Sequence, residues 1–348
     1  MKKLILGITG GVSFVVFLVL LAVTNHMAAS LPEQNMAQRW SDEKDVAHIS
    51  CFFSADANVT EDTLQQFEYE LIKYLQESSV TSESTNPGAR LWTSAHSAEG
   101  KIKLTTEYGS LEADALGIGG DFFMFHPQKL LCGAYFSGND INQEYCVIDE
   151  DAAWQLFGSS NVAGMMVSIN GVPHIVSGVI ERQEGKLWEA AGLDTTRIYV
   201  SMSTLEKYGT SHGINSYEIV MPNPVKDFAL KHVKEKLGND EKETEVLENH
   251  TRYDMLKRFQ VIKAFGTRSM SGKSIVYPYW ENVARGYEDI IGALTVFMIG
   301  TFIYPVVITL IWLIKWWRYK DWTIQSIWLK IVDRIERFRE KQYARKRK

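Results

Sequence analysis

The sequence lacks the residue patterns on which most enzymes and metalloproteins depend. Its three cysteines form no CxxC pair, and no histidine stands at a zinc-ligand spacing from any of them, so a metal site is not expected. No serine occupies a GxSxG elbow and the eight histidines are scattered, which leaves hydrolytic chemistry without support. We therefore predict no catalytic residue, no metal and no cofactor.

Two long runs without a charged residue stand out instead. Residues 4–24 and 290–314 are mostly leucine, valine, isoleucine, phenylalanine and glycine. At about 1.5 Å of helix rise per residue, each run could cross a bilayer core of roughly 30 Å. A cleavable signal peptide is the alternative for the first run, but that run exceeds the usual length of a signal core. The sequence predicts two membrane-spanning helices.

Positive charges beside the two runs indicate their orientation. Lys2 and Lys3 precede the first run, and Lys315, Arg318 and Lys320 follow the second. Basic residues beside spans are biased towards the cytoplasm. This bias predicts that both termini are cytoplasmic and that the intervening chain lies outside the cell. The predicted regions are an N-terminal end with the first span (1–29), an extracytoplasmic domain (30–289), the second span (290–314) and a cytoplasmic tail (315–348).

Charge is divided unevenly between these compartments. Residues 315–348 contain 12 Lys or Arg against 4 Asp or Glu. Because the formal net charge of the whole chain is −5, the external domain must be strongly acidic. Such a field disfavours nucleic acid and anionic lipid as external partners. The basic tail instead faces the anionic lipid of the inner leaflet, which attracts Lys and Arg.

The tail has the pattern of an amphipathic basic helix. Apolar residues recur at helical spacing, and basic residues occupy the rest of the helix circumference. The apolar positions are Ile324, Ile327, Trp328, Ile331, Ile335 and Phe338. Two interpretations remain open and can coexist: the helix lies on the inner leaflet, or it docks against a partner subunit.

The external domain reads as an α+β fold. VAHISCFF (46–53) alternates as a strand, and a helical pattern follows over residues 60–77 with Thr60 as a candidate N-cap. KIKLTTEYG (101–109) returns as a strand, and a further strand, INSYEIVMP (214–222), leads into a second helix that ends at Gly238. This is a split βαβ unit with an insertion between its halves. The insertion is rich in short strands and contains an Asn-Gly hairpin signal at residues 170–171.

Three consecutive carboxylates, Asp149, Glu150 and Asp151, precede the apolar helical pattern AAWQLFG. They could form a metal or acid–base site, or they could start a helix. Acidic side chains at a helix N-terminus accept free backbone N–H groups and favour the positive end of the helix dipole. No EF-hand spacing is present, so we predict a capping role.

Cys132 and Cys146 flank the turn-rich segment GNDINQ. An oxidising exterior would permit a disulfide between them. Two buried free thiols are the alternative.

A run of about 65 residues carries an ordered set of motifs. It begins GIGGDFFMFHPQKLLCGAYF (117–136) and continues VIDEDAAWQLFGSSNVAGMMVSINGVPHIVSGVIE (147–181). In order and spacing these segments resemble the extracytoplasmic core domain of MacB-type ABC transporter permeases. The resemblance implies a two-lobed domain, with residues 40–108 and 211–266 in a porter-like lobe and residues 110–210 in an inserted β-rich lobe.

The chain departs from that family in its membrane part. The usual permease has four spans and a short cytoplasmic segment that contacts the ATPase, whereas this sequence has two spans and the basic tail. The resemblance therefore implies a non-enzymatic subunit of a transport or mechanotransmission complex. Its partners would be an ABC ATPase, a four-span permease, or both, and its external domain would engage cargo or partner subunits. A stand-alone membrane-anchored surface module for binding or sensing is the alternative.

Overall fold

A computed structural model describes residues 1–41, 45–80, 90–238, 240, 242–267, 274–320 and 324–346. The chain divides into two compact units, one of residues 24–293 and one of residues 1–23 with 294–348. The described strands are β1 (Val46–Phe53), β2 (Thr93–Thr105), β3 (Ser110–Gly120), β4 (Leu130–Gly133), β5 (Tyr145–Asp149), β6 (Met166–Ile169), β7 (Val172–Ile180), β8 (Arg197–Ser201), β9 (Thr210–Ser211), β10 (Ser216–Pro222) and β11 (Thr244–Glu248). The described helices are α1 (Lys2–Ala29), α2 (Met36–Trp40), α3 (Glu61–Glu77), α4 (Phe122–Phe125), α5 (Glu150–Phe157), α6 (Lys186–Trp188), α7 (Met202–Tyr208), α8 (Phe228–Leu237), α9 (Met255–Ala264), α10 (Tyr279–Arg318) and α11 (Ile324–Lys346).

The strands form one mixed sheet in the order β11-β1-β10-β2-β3-β8-β5-β7-β4, with β6 and β9 off this path. The first four strands in this order interleave two strand-helix-strand units, β1-α3-β2 and β10-α8-β11. This arrangement is the split βαβ unit expected from the sequence. The α+β fold prediction is therefore confirmed.

The two faces of the sheet bury different clusters of side chains. Successive residues of a strand point to opposite faces, so one face collects Ala98, Ile102 and Leu104 of β2 together with the apolar sides of α3, α5, α7 and α8. The other face collects Leu116, Ile118 and Tyr199 with α4 and the first turns of α10. Helix α10 thus begins as part of the external core.

Two local signals in the sequence are confirmed. Thr60 is the N-cap of α3, and its hydroxyl accepts a hydrogen bond from the N–H of Thr63. Asn170 and Gly171 join β6 to β7 with φ angles of 49° and 83°, the positive pair that a tight hairpin turn of this type requires.

The ranges predicted for the two lobes contribute strands to one continuous sheet. Strands from the porter-like ranges and from the inserted range 110–210 belong to the same sheet. Strand β2 crosses this division because it pairs with β10, β3 and β6. The lobe boundaries remain a prediction.

Helices α1 and α10 contain the two segments that are long and apolar enough to cross a membrane. The most apolar stretch of 18 residues has a mean hydropathy of 2.7 in the first helix and 2.2 in α10. Helix α11 is present where the amphipathic pattern predicts it. The side chains of Trp328, Ile331, Ile335 and Phe338 are exposed on it, whereas those of Ile324 and Ile327 lie outside the described part of the structure.

Candidate functional site at the external start of helix α10

The acidic stretch that precedes α5 caps this helix. Asp149 is the N-cap residue, and its Oδ1 accepts a hydrogen bond from the N–H of Ala152 at 2.7 Å. Its Oδ2 accepts a second bond, from the N–H of Arg197 at 2.7 Å. The predicted capping role is confirmed for Asp149, which also ties the helix start to the neighbouring strand β8.

Burial also changes the acidity of this capping group. Asp149 is only 3% exposed, and desolvation raises the pKa of its carboxyl to about 6 even though the two backbone N–H groups favour the charged form. Asp151 has a different role, since it is hydrogen-bonded to Arg182. Among the described residues, no group of three or more His, Cys, Asp or Glu has a metal-binding arrangement.

The cysteines are free thiols, and the disulfide considered between Cys132 and Cys146 is not formed. Cys132 in β4 lies opposite Val179 of β7, and Cys146 in β5 lies opposite Val176 of β7. Because β7 lies between them, their backbones are about two strand spacings apart, roughly 9–10 Å, beyond the roughly 7 Å reach of a disulfide. Burial raises the pKa of the Cys146 thiol to about 12, which makes it unreactive.

A cluster of paired charges is the most distinctive polar feature of the external unit, and sequence reasoning missed it. Arg252, in the turn after β11, binds both carboxylate oxygens of Glu281 at 2.6 and 2.7 Å. Its Nε also donates to Glu288 at 2.5 Å. The side chains of Arg252 and Glu281 are 6% and 1% exposed. A two-point contact of this kind fixes the orientation as well as the distance of the two groups.

A second arginine joins the same carboxylate. Arg285, one turn further along α10, donates from Nε to Glu281 at 2.7 Å and from Nη2 to Glu245 of β11 at 3.2 Å. Its guanidinium also stacks over the ring of Tyr277, 3.8 Å from the ring centre. Burial alone would lower the pKa values of Arg252 and Arg285, but the facing Glu281 carboxylate raises both.

Hydrogen bonds continue from this cluster into the sheet. Asn249 accepts from Arg252 at 3.5 Å and donates to the hydroxyl of Ser50 at 2.6 Å. Ser50 in turn donates to the carboxylate of Glu218 at 2.7 Å. Asn249 follows β11, Ser50 lies in β1 and Glu218 in β10. The bonds therefore run from the first turns of α10 across three neighbouring strands.

Within the sheet, the hydrogen bonds of this network converge on Glu218. It is 3% exposed and bonds His48 at 3.2 Å, and it also bonds His126, the residue that follows α4. Burial opposes ionisation of Glu218, but the charge and hydrogen bond of His126, together with His48, outweigh it. The pKa of Glu218 therefore lies well below its usual range.

The segment between α1 and β1 meets this network from another side. Gln34, which is buried, accepts a hydrogen bond from Arg252 at 3.3 Å. Its neighbour Glu33 is 3% exposed. Burial raises the pKa of Glu33, although the nearby charge of His126 opposes the shift. Both chain segments that lead towards the predicted spans therefore contact the same set of buried polar groups.

We define the buried polar junction as Gln34, His48, Ser50, His126, Glu218, Glu245, Asn249, Arg252, Glu281, Arg285 and Glu288. Arg252 is 29 residues from Glu281, and His48 is 170 residues from Glu218. No local periodicity can identify partners at such separations. One usable signal was present, the charged segment WENVARGYED immediately before the uncharged run at residue 290.

Comparisons with known proteins give a consistent result. Residues 4–231 match the model of the MacB-like periplasmic core domain family. Over 76 residues the chain is 32% identical to the macrolide export ATP-binding/permease protein MacB of Chromobacterium violaceum. That alignment covers 21% of this chain and only 12% of the length of that relative. The family match covers more than half of the chain and confirms the resemblance stated from the sequence.

Two solved structures are also similar to this chain. The periplasmic region of MacB from Actinobacillus actinomycetemcomitans is 18% identical with a TM-score of 0.40, over 60% of this chain and 92% of that one. The extracellular domain of the noncanonic ABC-type transporter YknZ from Gram-positive bacteria is 18% identical with a TM-score of 0.36, over 57% of this chain and 99% of that one.

Proposed function

Because the chain belongs to the MacB-like periplasmic core domain family, we propose that it is a non-enzymatic membrane subunit of a MacB-like ABC transport or mechanotransmission complex. Family membership and the two apolar helices make it a membrane protein with an external domain. The finer proposal is that this domain engages cargo or partner subunits and moves with events on the other side of the membrane.

One observation carries this proposal: α10 is a single helix from Tyr279 to Arg318. Its residues 279–293 belong to the external unit, where Glu281 is held by Arg252 and Arg285. Its residues 294–318 belong to the other unit and contain the apolar run. Backbone hydrogen bonds along a helix resist stretching, so a displacement of its inner part would reach Arg252 through Glu281.

The buried polar junction would pass this displacement to the sheet. Arg252 connects through Asn249 and Ser50 to Glu218. Buried charges that are paired this closely have few alternative arrangements, because any unpaired carboxylate or guanidinium would carry a large desolvation penalty. The network would therefore move together with α10.

The proposed partners are an ABC ATPase, a four-span permease, or both. The printed name of the Chromobacterium relative, an export ATP-binding/permease protein, supports this class of partner. We place both termini in the cytoplasm, where the tail helix α11 would contact anionic lipid of the inner leaflet or dock against a partner subunit. Neither choice requires a cofactor bound to this chain.

The orientation is tested by the accessibility of single cysteines in intact cells. In a Cys132→Ser background, Tyr69→Cys on α3 and Arg334→Cys on α11 place thiols at two exposed positions. An impermeant maleimide should label position 69 in intact cells and position 334 only after permeabilisation. Labelling of both positions in intact cells would overturn the two-span topology.

Co-purification separates the complex from a stand-alone surface module. The tagged full chain is extracted in mild detergent from the cells that naturally make it, with and without prior cross-linking. We expect an ABC ATPase or permease in fixed stoichiometry, retained when the tag is moved to the other terminus. A chain that is isolated alone under both conditions would support the stand-alone alternative.

A further inference from the structure

Helix α9 carries an apolar stripe that the external core leaves uncovered. Met255 is 45% exposed, Leu256 78% and Phe259 47%, while Ile262 is half-buried. At about 100° of rotation per residue, these four side chains fall within an arc of roughly 120° on one side of the helix. We call them the α9 stripe. Exposed apolar groups concentrated on one helix face usually meet a partner or a membrane.

A different face of α9 is fixed against residues at the outer ends of both predicted spans. Arg258 donates from Nη1 to the hydroxyl of Thr24, the last residue of the first apolar run, at 3.4 Å. At the other end of α9, the ring of Phe265 lies against Gly292, near the start of the second run. A Cβ added to Gly292 would lie 2.9 Å from Phe265 Cζ and 3.4 Å from Val261.

These two contacts determine the height of α9. Thr24 and Gly292 are the points where the apolar runs reach the external side, and α9 touches both through Arg258 and Phe265. In the proposed two-span topology, on which this inference rests, a helix beside these two residues would lie along the boundary between membrane and water. The α9 stripe lies on a different side of the helix from the contact face. The nearest apolar surroundings of its side chains would then be the outer leaflet.

We propose that α9 is an interfacial helix whose stripe inserts into the outer leaflet between headgroups and acyl chains. Helices of this kind bury their apolar face about 5–10 Å into that region. Lys257 lies outside the arc of the stripe, and Lys263 lies within it, between Phe259 and Leu256. The long side chains of both lysines can reach headgroup phosphates while their stems cover apolar surface. Because the external domain is acidic, the contact would depend on apolar burial and would not need anionic lipid.

Lipid is favoured over a protein partner because the contacts of α9 through Arg258 and Phe265 are with Thr24 and Gly292, residues at the external ends of the two apolar runs. The consequence of lipid contact is mechanical: α9 gives the external domain a third membrane attachment besides α1 and α10. This attachment would hold the domain at a defined height and tilt, whatever complex the chain joins.

The test measures lipid contact directly. The full chain with Cys132→Ser is reconstituted in nanodiscs of phosphatidylcholine, and Phe259→Cys is labelled with bimane. Cys51 and Cys146 are buried and should not react. Two quenchers are compared: a phosphatidylcholine that carries a doxyl group near its headgroup, and iodide in the aqueous phase. We expect the doxyl lipid to remove about half or more of the fluorescence at position 259, since a nitroxide quenches groups inserted to its depth.

Tyr69→Cys, at another exposed position on α3, is the control and should show the opposite preference, for iodide. A second variant adds Met255→Ser and Leu256→Ser to the labelled Phe259→Cys chain, and it should lose most of the lipid quenching while remaining folded. The proposal is overturned if iodide quenches position 259 as strongly as position 69. It is also overturned if position 259 becomes protected from both quenchers only in native membranes, since a protein would then cover the stripe. Neither result depends on whether an ATPase partner exists.

Discussion

The two units of the chain treat charge and apolar surface in opposite ways. In residues 24–293, charged groups such as Arg252 and Glu281 are buried and paired, and large apolar side chains fill the two faces of a sheet. In the other unit, leucine, isoleucine and valine side chains of α1 and α10 are exposed along the helices, and the ion pair Asp333–Arg337 of α11 is solvated, at 66% and 76% exposure.

This difference indicates that one unit is suited to lipid and the other to water. Exposed aliphatic side chains along two long helices are stable in lipid, where apolar contact with the acyl chains costs nothing. Paired charges buried under a sheet require instead a rigid, water-soluble domain that holds donors and acceptors in place. Helix α10 has residues in both units, and we propose its external start as the point of coupling.

Substitution of Arg252 is expected to cause the largest loss of stability. The change Arg252→Met removes the guanidinium and leaves Glu281 with Arg285 alone, while Glu288 loses the Arg252 contact. Removing one partner of a buried ion pair typically costs about 3–5 kcal/mol. We expect a large loss of stability of the full chain in detergent, measured by denaturant unfolding. The matched change Arg337→Met in the exposed pair should have little effect, and equal losses for both variants would contradict the contrast between the units.

A smaller effect is expected at Asp149, whose buried carboxylate is bonded by two backbone N–H groups. The pKa of Asp149 in the folded chain is about 6, above the ordinary 3.8, because burial favours the protonated carboxyl. The stability gained from this preference is fully present below pH 3.8 and is lost as the pH rises through about 6. Relative to Asp149→Asn, the wild-type chain should lose up to about 3 kcal/mol of unfolding free energy across that range.

Asp149→Ser supplies the control for this measurement. Both variants are neutral at position 149, so both should remove the same pH dependence even though their capping strength differs. A wild-type chain that instead gained stability over both variants as pH rose would mean that the two backbone N–H bonds outweigh burial.

The next prediction concerns lipid binding by the tail helix α11. A peptide of residues 320–348 should bind anionic vesicles, bind neutral ones poorly and dissociate as salt rises, because charge attraction is screened within roughly 8 Å at physiological salt. Changing Ile327, Trp328 and Ile331 together to Ser should weaken binding by about tenfold or more even at low salt, since apolar burial is lost while every charge remains. A peptide that ignores vesicles, with dissociation of a co-purified subunit in the same triple variant, would assign the tail to protein docking.

The smallest expected effect is at the start of α3. Thr60→Ala removes the hydroxyl that accepts from Thr63 and should lower the unfolding free energy by about 1 kcal/mol. Gln65→Ala on the exposed side of the same helix is the control and should change stability much less. An equal effect for both would mean that the cap contributes nothing beyond helix propensity.

Sequence reasoning succeeded where the determinant is local or compositional. The two long apolar helices follow from uncharged runs, the caps at Thr60 and Asp149 from residues directly before a helical pattern, and the hairpin from Asn170 and Gly171. The resemblance to MacB-type permeases depended on motifs in one contiguous segment. These features can be predicted because each depends on neighbours in the chain.

The remaining features depend on contacts between distant segments. Arg252 and Glu218 become central only after β1, β10 and β11 pair, and Cys132 is separated from Cys146 only once β7 lies between them. The α9 stripe is an ordinary amphipathic pattern until Arg258 and Phe265 place it beside Thr24 and Gly292. Strand order and register produce these proximities, and local residue spacing does not encode them.

The central claim is that α10 carries displacement from the membrane to the external sheet through Arg252. Hydrogen exchange of the chain within its co-purified complex tests this most directly, comparing the ATP-hydrolysing state with a state arrested by a non-hydrolysable nucleotide. We predict that backbone exchange changes between the two states at residues 249–254 and at the start of α10, and that α5 is unaffected. Identical exchange at residues 249–254 in both states, in a complex that demonstrably hydrolyses ATP, would contradict the claim.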